Sequence, residues 1–315
     1  MRIVFFGTSE FAIPSLKALL GSKHEVVAVV TQPDSKKGRA LKLSPSPVKV
    51  VAASHSIPIY QPADASSSES VGYLKGLKAD LFIVISFGQI LKIDVLNIPK
   101  IFAINVHGSL LPKWRGAAPT NRAIMSGERS TGVTVIKMNA RMDEGDIILK
   151  EEIGIACEDT NITLSEKLSE LGASALMKSI DLIEVKGSNI PLTKQHPSLV
   201  TVAAKLKKSD GLINWAEPAA VIHNKVRGLL PWPGAYTGYN GKVLKVLKTE
   251  LVKEIFPGRA GEVVAASAID GIVVNTGSGA ISIKYLQPEG KKEMDSGSFL
   301  LGHRITKGYQ FNKSL

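Results

Sequence analysis

Read from its amino end, the chain alternates apolar runs with helical patterns. Arg2 to Gly7 (RIVFFG) is an almost unbroken apolar run, and Glu25 to Thr31 (EVVAVVT) is the next one. Between them Phe11 to Leu20 has helical spacing, with Pro14 near its start, where a missing N–H is tolerated best. Runs this apolar suit strands buried on both faces, and strand–helix–strand order predicts a parallel, doubly wound sheet. The pattern continues with a short strand at Ile57 to Tyr60, a helix over Ser66 to Leu77, and a central strand at Asp80 to Ser86 (DLFIVIS). Another strand is expected at Ile101 to Val106 and a helix over Ala117 to Gly127, with Pro119 in its first turn. Gly132 to Met138 and Ile147 to Ile153 read as an antiparallel pair around the turn Asp143-Glu144-Gly145-Asp146. Thr163 and Glu166 have the spacing of a capping box, and Leu164, Leu168, Leu171 and Ala175 trace one face of a helix to about Ile183.

The pattern then changes. Gly187 to Thr201 (GSNIPLTKQHPSLVT) has the Pro, Ser and Asn content of a linker. Beyond it a helix at Ala219 to Arg227 precedes five short strands, near Ala235–Tyr239, Lys242–Leu251, Gly261–Ala266, Gly271–Thr276 and Ala280–Leu286. Short strands at that spacing predict a small β-barrel. The expected organisation is a mainly parallel, Rossmann-like α/β domain over residues 1–188, a linker over 189–204, and a barrel domain over 205–315. The first turn, Gly7-Thr8-Ser9-Glu10, lacks a G-x-G-x-x-G fingerprint, which argues against a nicotinamide or flavin enzyme.

Composition refines this reading at three points. With 44% hydrophobic and 21% charged residues in 315, disorder is not expected and two domains are the natural prior. No apolar stretch reaches the roughly 18 residues of a spanning helix, and the opening strand leaves no room for a signal peptide. A cytoplasmic protein without membrane contact is therefore expected. Cys157 is the single cysteine, which excludes an internal disulfide and a cysteine-based metal cluster, and it reads as an inert, half-buried thiol. The net charge is +11, and from Thr201 onward 16 Lys and Arg stand against 9 Asp and Glu. That balance suits a polyanionic partner, nucleic acid before membrane, and by itself suits plain solubility equally well. Lys36, Lys37, Arg39, Lys42 and Lys49 stand against Asp34 alone in the loop Gln32 to Val50, a pattern that an ordinary solvated loop also shows.

Candidate chemistry concentrates between Ile101 and Gly145. Asn105 and His107 lie two residues apart at a strand exit, so their side chains share a face. Asp143 follows at the end of the apolar run GVTVIKM and its turn. A carboxylate beside an imidazole sets its tautomer, and an amide can donate to a developing oxyanion. An Asn-x-His at a strand end is commonly just a satisfied turn. What distinguishes this one is its continuation, Ser109 to Pro112 (SLLP) and Trp114 to Pro119 (WRGAAP), with Asp-x-Gly downstream.

These spaced motifs resemble those of the 10-formyltetrahydrofolate-dependent formyltransferases, and HGSLLPKWRGAAP is similar to the branch acting on methionyl-tRNA. The resemblance covers nearly the whole chain. It implies an enzyme that moves a formyl group from 10-formyltetrahydrofolate to the amino group of methionine on initiator tRNA, without a metal. It implies Asn105, His107 and Asp143 as the catalytic set. Ser109, Leu110, Leu111 and Pro112 would bind folate together with the pterin-side loop Phe87, Gly88, Gln89, Ile90 and Leu91. Lys36, Lys37, Arg39 and Lys42 would contact tRNA, and the C-terminal barrel would be OB-like. Three positions depart from the family pattern: Ala40 for a glycine, Thr120-Asn121 for Ile-Gln, and Glu144 for a threonine. Glu144 is expected to face solvent, Trp232 to be a core or turn residue, and the protein to be a monomer. Two alternatives remain at this point, a formyltransferase acting on a small amine and a non-catalytic RNA-binding protein.

Overall fold

The structure is a computed structural model describing residues 1–37 and 42–311, the side chains of Lys37 and Lys42 excepted. Its first unit comprises residues 1–119, 130–154 and 165–203. The opening elements are β1 (Arg2–Gly7), α1 (Ile13–Leu20) and β2 (Glu25–Val30), as the apolar pattern requires. The described residues of the stretch read as a loop from Gln32 to Val50 carry regular structure. They hold a hairpin of β3 (Ser35–Lys37) and β4 (Lys42–Ser44), then the start of α2 (Pro47–Ser54). Ser46 caps this helix by accepting from the Lys49 backbone N–H, and Pro47 supplies a first-turn residue that needs no partner. The density of Pro and Ser that suggested a loop was in part a helix start signal.

β5 (Ile59–Tyr60), α3 (Ser68–Gly76), β6 (Leu81–Ile85), a short α4 (Ile93–Leu96) and β7 (Phe102–His107) follow. Then come the two-residue β8 (Arg115–Gly116), α5 (Pro119–Met125), β9 (Ser130–Lys137), β10 (Asp146–Gly154), the long α6 (Asn161–Lys186) and β11 (Val202–Ala203). α6 begins before the expected capping box. Thr160 and Thr163 instead bond each other reciprocally, each backbone N–H donating to the other's hydroxyl.

Seven strands make one sheet in the order β10-β9-β7-β6-β1-β2-β5. β5, β2, β1, β6 and β7 run parallel, and β9 and β10 are antiparallel. The chain leaves β1 toward one edge and returns on its other side through β6. The β1/β6 boundary is therefore the switch point, where loops at the carboxyl ends part and leave a crevice. Two contacts join these loops: Ser9 Oγ donates to Ser86 Oγ at 2.7 Å, and Thr8 Oγ1 to the Phe87 carbonyl at 2.7 Å. Beneath them Phe6 packs on Phe82 and Phe87, with ring centroids 5.1 and 5.4 Å away.

The second unit comprises residues 120–129, 155–164 and 204–315. Its elements are α7 (Ala219–Gly228), β12 (Ala235–Tyr239), β13 (Lys242–Val252), β14 (Val263–Ser267), β15 (Gly271–Asn275), β16 (Ala280–Pro288), β17 (Met294–Asp295) and α8 (Ser296–Gly302). All five expected strands are present, paired antiparallel as β12-β13-β16-β15-β14, with β17 on β16. Register shifts on either side of Lys248 mark irregularities along β13, the kind that lets a long strand bend. Ile222 and Val226 of α7 join Leu244, Val246, Ile283 and Phe299 in the core, and Trp215 donates to Thr237 Oγ1 at 3.0 Å within it.

Two early segments belong to this unit through bonds to α7 and its exit. Asn121 Nδ2 donates to the Gly228 carbonyl at 2.7 Å, and Arg227 Nη1 to the Asp159 carbonyl at 2.7 Å. At this departure Asn121 keeps an amide, as the family's glutamine does, and it satisfies the carbonyl of the last α7 residue. Cys157 is exposed, not half-buried, and Trp232 stands 54% exposed on a turn.

Phe82→Ala removes a fully buried ring from the first unit and should destabilise it by about 3–5 kcal/mol in urea unfolding. A loss under about 1 kcal/mol would contradict this packing.

Candidate active site

β7 runs two residues past its contact with β6 and delivers Asn105 and His107 to the carboxyl edge of the sheet. β9 pairs with it there and leads into the turn that carries Asp143. The three side chains meet. Asn105 Nδ2 lies 3.5 Å and His107 Nδ1 3.6 Å from the same carboxylate oxygen, Asp143 Oδ1. The other oxygen, Oδ2, accepts from the Gly116 backbone N–H at 2.9 Å. The His107 and Asp143 side chains are only 7% and 14% exposed, which strengthens their interaction relative to a surface pair.

The remaining imidazole nitrogen is also held. His107 Nε2 lies 2.9 Å from the Trp114 carbonyl. A carbonyl can only accept, so Nε2 carries a proton and Nδ1 is the atom facing Asp143. One three-residue strip, Trp114 to Gly116, thereby contacts both His107 and Asp143 through its main chain.

That strip is itself fixed from the segment expected to be a linker. β8 pairs with β11, Arg115 N–H donates to the Thr201 carbonyl at 2.9 Å, and Trp114 N–H to Thr201 Oγ1 at 2.8 Å. Gly116 has φ of +121°, and a Cβ there would lie 2.6 Å from the Ala203 carbonyl oxygen. Only glycine satisfies both constraints. Upstream in the same segment, Thr193 forms a bridge with Ile147. Arg115, Gln195 and Thr201 are parts of the site that the sequence reading did not single out. Arg115 lay in plain view inside WRGAAP, whereas nothing in the linker-like composition marked Gln195 or Thr201.

Glu144 departs from expectation. It is turned onto Arg115, with Nη1 2.9 Å from Oε1, and is not free in solvent. A guanidinium close to the turn captures the carboxylate that would otherwise extend outward.

The expected folate residues follow β6 and β7. Phe87, Leu91 and Leu111 are buried in the core, and Ser109 is buried with its hydroxyl donating to the Lys113 carbonyl. Gln89 braces its own loop, accepting from Ala65 N–H and donating to the Pro62 carbonyl. Gly88 has φ of +91°, and Ile90 is exposed. Leu110 is half-buried, and Thr134 Oγ1 ties the Ser109–Pro112 stretch by bonding the Ser109 carbonyl and Leu111 N–H. Of the large apolar side chains in these two stretches, Leu110 and Ile90 keep exposed surface while Phe87, Leu91 and Leu111 do not.

Of the expected tRNA residues, Lys36 is exposed on the β3–β4 hairpin. The side chains of Lys37 and Lys42, and all of Arg39 and Ala40, lie outside the described residues. Lys49, also basic, is committed to Asp34 at 2.8 Å; a hydrogen bond from Gln61 and this cation hold the Asp34 carboxyl below its usual range. Among the described residues no group of three or more His, Cys, Asp and Glu could hold a metal ion.

Residues 1–180 match the family model described as formyl transferase, and residues 205–304 match that of the formyl transferase C-terminal domain. The chain belongs to the formyl transferase family. Members similar to it include the methionyl-tRNA formyltransferase of Citrifermentans bemidjiense, 45% identical over 98% of this chain and 95% of that one. The methionyl-tRNA formyltransferase of Geobacter sulfurreducens is 43% identical over 100% and 98%. Among solved structures, the fold is similar to WlaRD, a sugar 3N-formyl transferase determined with dTDP and 5-N-formyl-THF. That match has a TM-score of 0.68 and 22% identity, covering 93% of this chain and 99% of that one. HypX from Aquifex aeolicus, solved in complex with tetrahydrofolic acid, aligns with a TM-score of 0.66 and 18% identity over 98% of this chain and 51% of that one. At these identities the structural matches speak for the fold alone, and the fold of the family is the doubly wound sheet described above.

Gly116→Ala forces a side chain against the Ala203 carbonyl at a left-handed φ. It should cost at least about 1 kcal/mol in thermal or urea unfolding. A variant as stable as the parent would show that β8 is not clamped as described.

Proposed function

We propose that the protein transfers the formyl group of 10-formyltetrahydrofolate to the α-amino group of methionine carried by initiator tRNA, giving N-formylmethionyl-tRNA for translation initiation. The observation that carries this reading is the convergence of Asn105 and His107 on one oxygen of Asp143. The full-length relatives that bear the name methionyl-tRNA formyltransferase supply the substrate.

In the proposed reaction the neutral amine attacks the formyl carbon. Asn105 Nδ2 and the protonated His107 stabilise the oxyanion that forms. His107 then gives a proton to the departing N10 as the C–N10 bond breaks. Asp143 holds the imidazole in place and takes up the amine's proton through water. Trp114 holds ring nitrogen Nε2, so the ring cannot turn away from the carboxylate. Formyl transfer on this scheme needs neither a nucleophilic side chain nor a metal.

Loop backbone from Phe87 to Leu91 and from Ser109 to Pro112 binds the folate. Residues 1–188 carry the chemistry, residues 189–204 brace it through Gln195 and Thr201 on the way to the next domain, and residues 205–315 bind tRNA together with Lys36, Lys37, Arg39 and Lys42. The charge of residues 201–315, 16 basic against 9 acidic, supports that division. The protein works as a monomer in the cytoplasm, a setting compatible with the finding that no described helix is long and apolar enough to cross a membrane.

A single-turnover assay with 10-formyltetrahydrofolate and Met-tRNA tests the reading. Wild-type protein should formylate Met-tRNA and not free methionine or an amino sugar nucleotide. His107→Ala and Asp143→Ala should each slow transfer by about 100-fold or more. Preference for the small amine would overturn the tRNA assignment, and near-normal turnover in either variant would overturn the mechanism. Binding of Met-tRNA should weaken steeply between about 50 and 200 mM salt, as multiple phosphate contacts require. Salt-insensitive binding would contradict the role given to the basic residues.

A further inference from the structure

A chain of polar contacts leads away from the three catalytic candidates and returns to them. Asp143 has φ of +54°, a left-handed conformation that a non-glycine residue holds only with help from its surroundings. That help comes from Gln195, 52 positions along the chain. Its Nε2 lies 2.7 Å from the Asp143 carbonyl and 2.8 Å from the Gly145 carbonyl. An amide NH2 has two hydrogens, and both are spent bridging the two ends of this turn.

The other end of the amide is equally determined. Gln195 Oε1 accepts from Arg115 Nε at 3.0 Å and from Nη2 at 2.8 Å. A guanidinium only donates, so this fork fixes which end of the amide is oxygen and aims the NH2 at the turn. Arg115 is 14% exposed, and its Nη1 pairs with Glu144, the residue next to Asp143. The contacts therefore close a ring, from Asp143 and Gly145 through Gln195 and Arg115 to Glu144 and back along the main chain.

We propose that Gln195 is a positioning residue for Asp143, oriented by Arg115 and, through it, by Glu144; this rests on Asp143 being part of the catalytic set. Gln195 meets no reacting atom. It holds the backbone of the 143–145 turn so that the Asp143 carboxylate faces His107 Nδ1 and the Asn105 amide. Glu144, the threonine-to-glutamate departure from the family pattern, then has a purpose in this chain: it anchors the far end of Arg115.

The test compares Gln195→Glu and Gln195→Met in full-length protein, by steady-state formylation of Met-tRNA and by thermal melts. Glutamate keeps the size and the contact to Arg115 but presents an acceptor to two carbonyl oxygens. Methionine keeps the length and removes the donor. Both should lower kcat about 10- to 100-fold, the scale of a small misplacement, while KM for folate and Met-tRNA stays within about twofold. Added to Asp143→Asn, Gln195→Glu should cost almost nothing further, because it acts through that carboxylate.

Unchanged kcat in both variants, a loss confined to KM, or a full additional loss on Asp143→Asn would overturn the proposal. A drop in activity accounted for by unfolding at the assay temperature would make Gln195 structural and would overturn it as well. Failure of the underlying function is recognised separately. In that case wild-type protein does not formylate Met-tRNA, or Asp143→Asn retains wild-type kcat whatever occupies position 195.

Discussion

The main chain of Trp114, Arg115 and Gly116 is the constraint on which the site depends. Its Trp114 carbonyl and Gly116 N–H grip opposite ends of the His107–Asp143 pair. A two-residue ladder is a weak device in isolation. Here it is fastened on its other side by Thr201 and Ala203, through the Thr201 hydroxyl and successive backbone bonds. The site is thus a sandwich of backbone. The sheet edge supplies Asn105 and His107, the β9–β10 turn supplies Asp143, and a strip tied to a distant segment sets the spacing between them. Positioning by main chain is stiff, because a carbonyl or N–H in a ladder has less freedom than a side chain.

This arrangement explains how a site can be built with modest side-chain chemistry. An amide, an imidazole and a carboxylate are ordinary groups, and what makes them useful is that little freedom remains to each. One imidazole nitrogen is held by a carbonyl and the other faces a carboxylate, so the tautomer of the neutral ring is set. The sheet contributes in the same way. Its strand order reverses at β1/β6, where hydroxyl contacts from Thr8 and Ser9 tie the loops at the mouth of the crevice. Charge is distributed elsewhere, in the β3–β4 region and after Thr201, so the proposed chemistry and the proposed recognition of tRNA place different demands on different parts of the chain.

Much of the fold was legible because its signals are local. Strands such as Leu81–Ile85 are buried at every position, and that is visible as unbroken apolar sequence. The Asn-x-His pair was legible through its continuation, SLLP, WRGAAP and the downstream Asp-x-Gly, because the two-residue spacing alone more commonly marks a satisfied turn. Less legible was whatever depended on distant partners. Gln195 sits in a stretch whose Pro and Ser content resembles a tether, and its value comes from carbonyls 50 and 52 positions away. Glu144 read as a solvent-facing turn residue because no local signal indicates that Arg115 lies within reach. The Ser46-Pro47 start of α2 was a recoverable signal, a cap and a first-turn proline, hidden inside a run that punctuation residues made look like a loop.

Trp114 holds a proton of His107 on Nε2, so neutral His107 is the Nε2–H tautomer with Nδ1 facing Asp143. Nitrogen-15 NMR of the protein labelled in histidine, with His107 assigned by its substitution, reads the tautomer directly. A proton resident on Nε2 is the expected result. Neutral His107 carrying its proton on Nδ1 would contradict the grip of Trp114 on the ring.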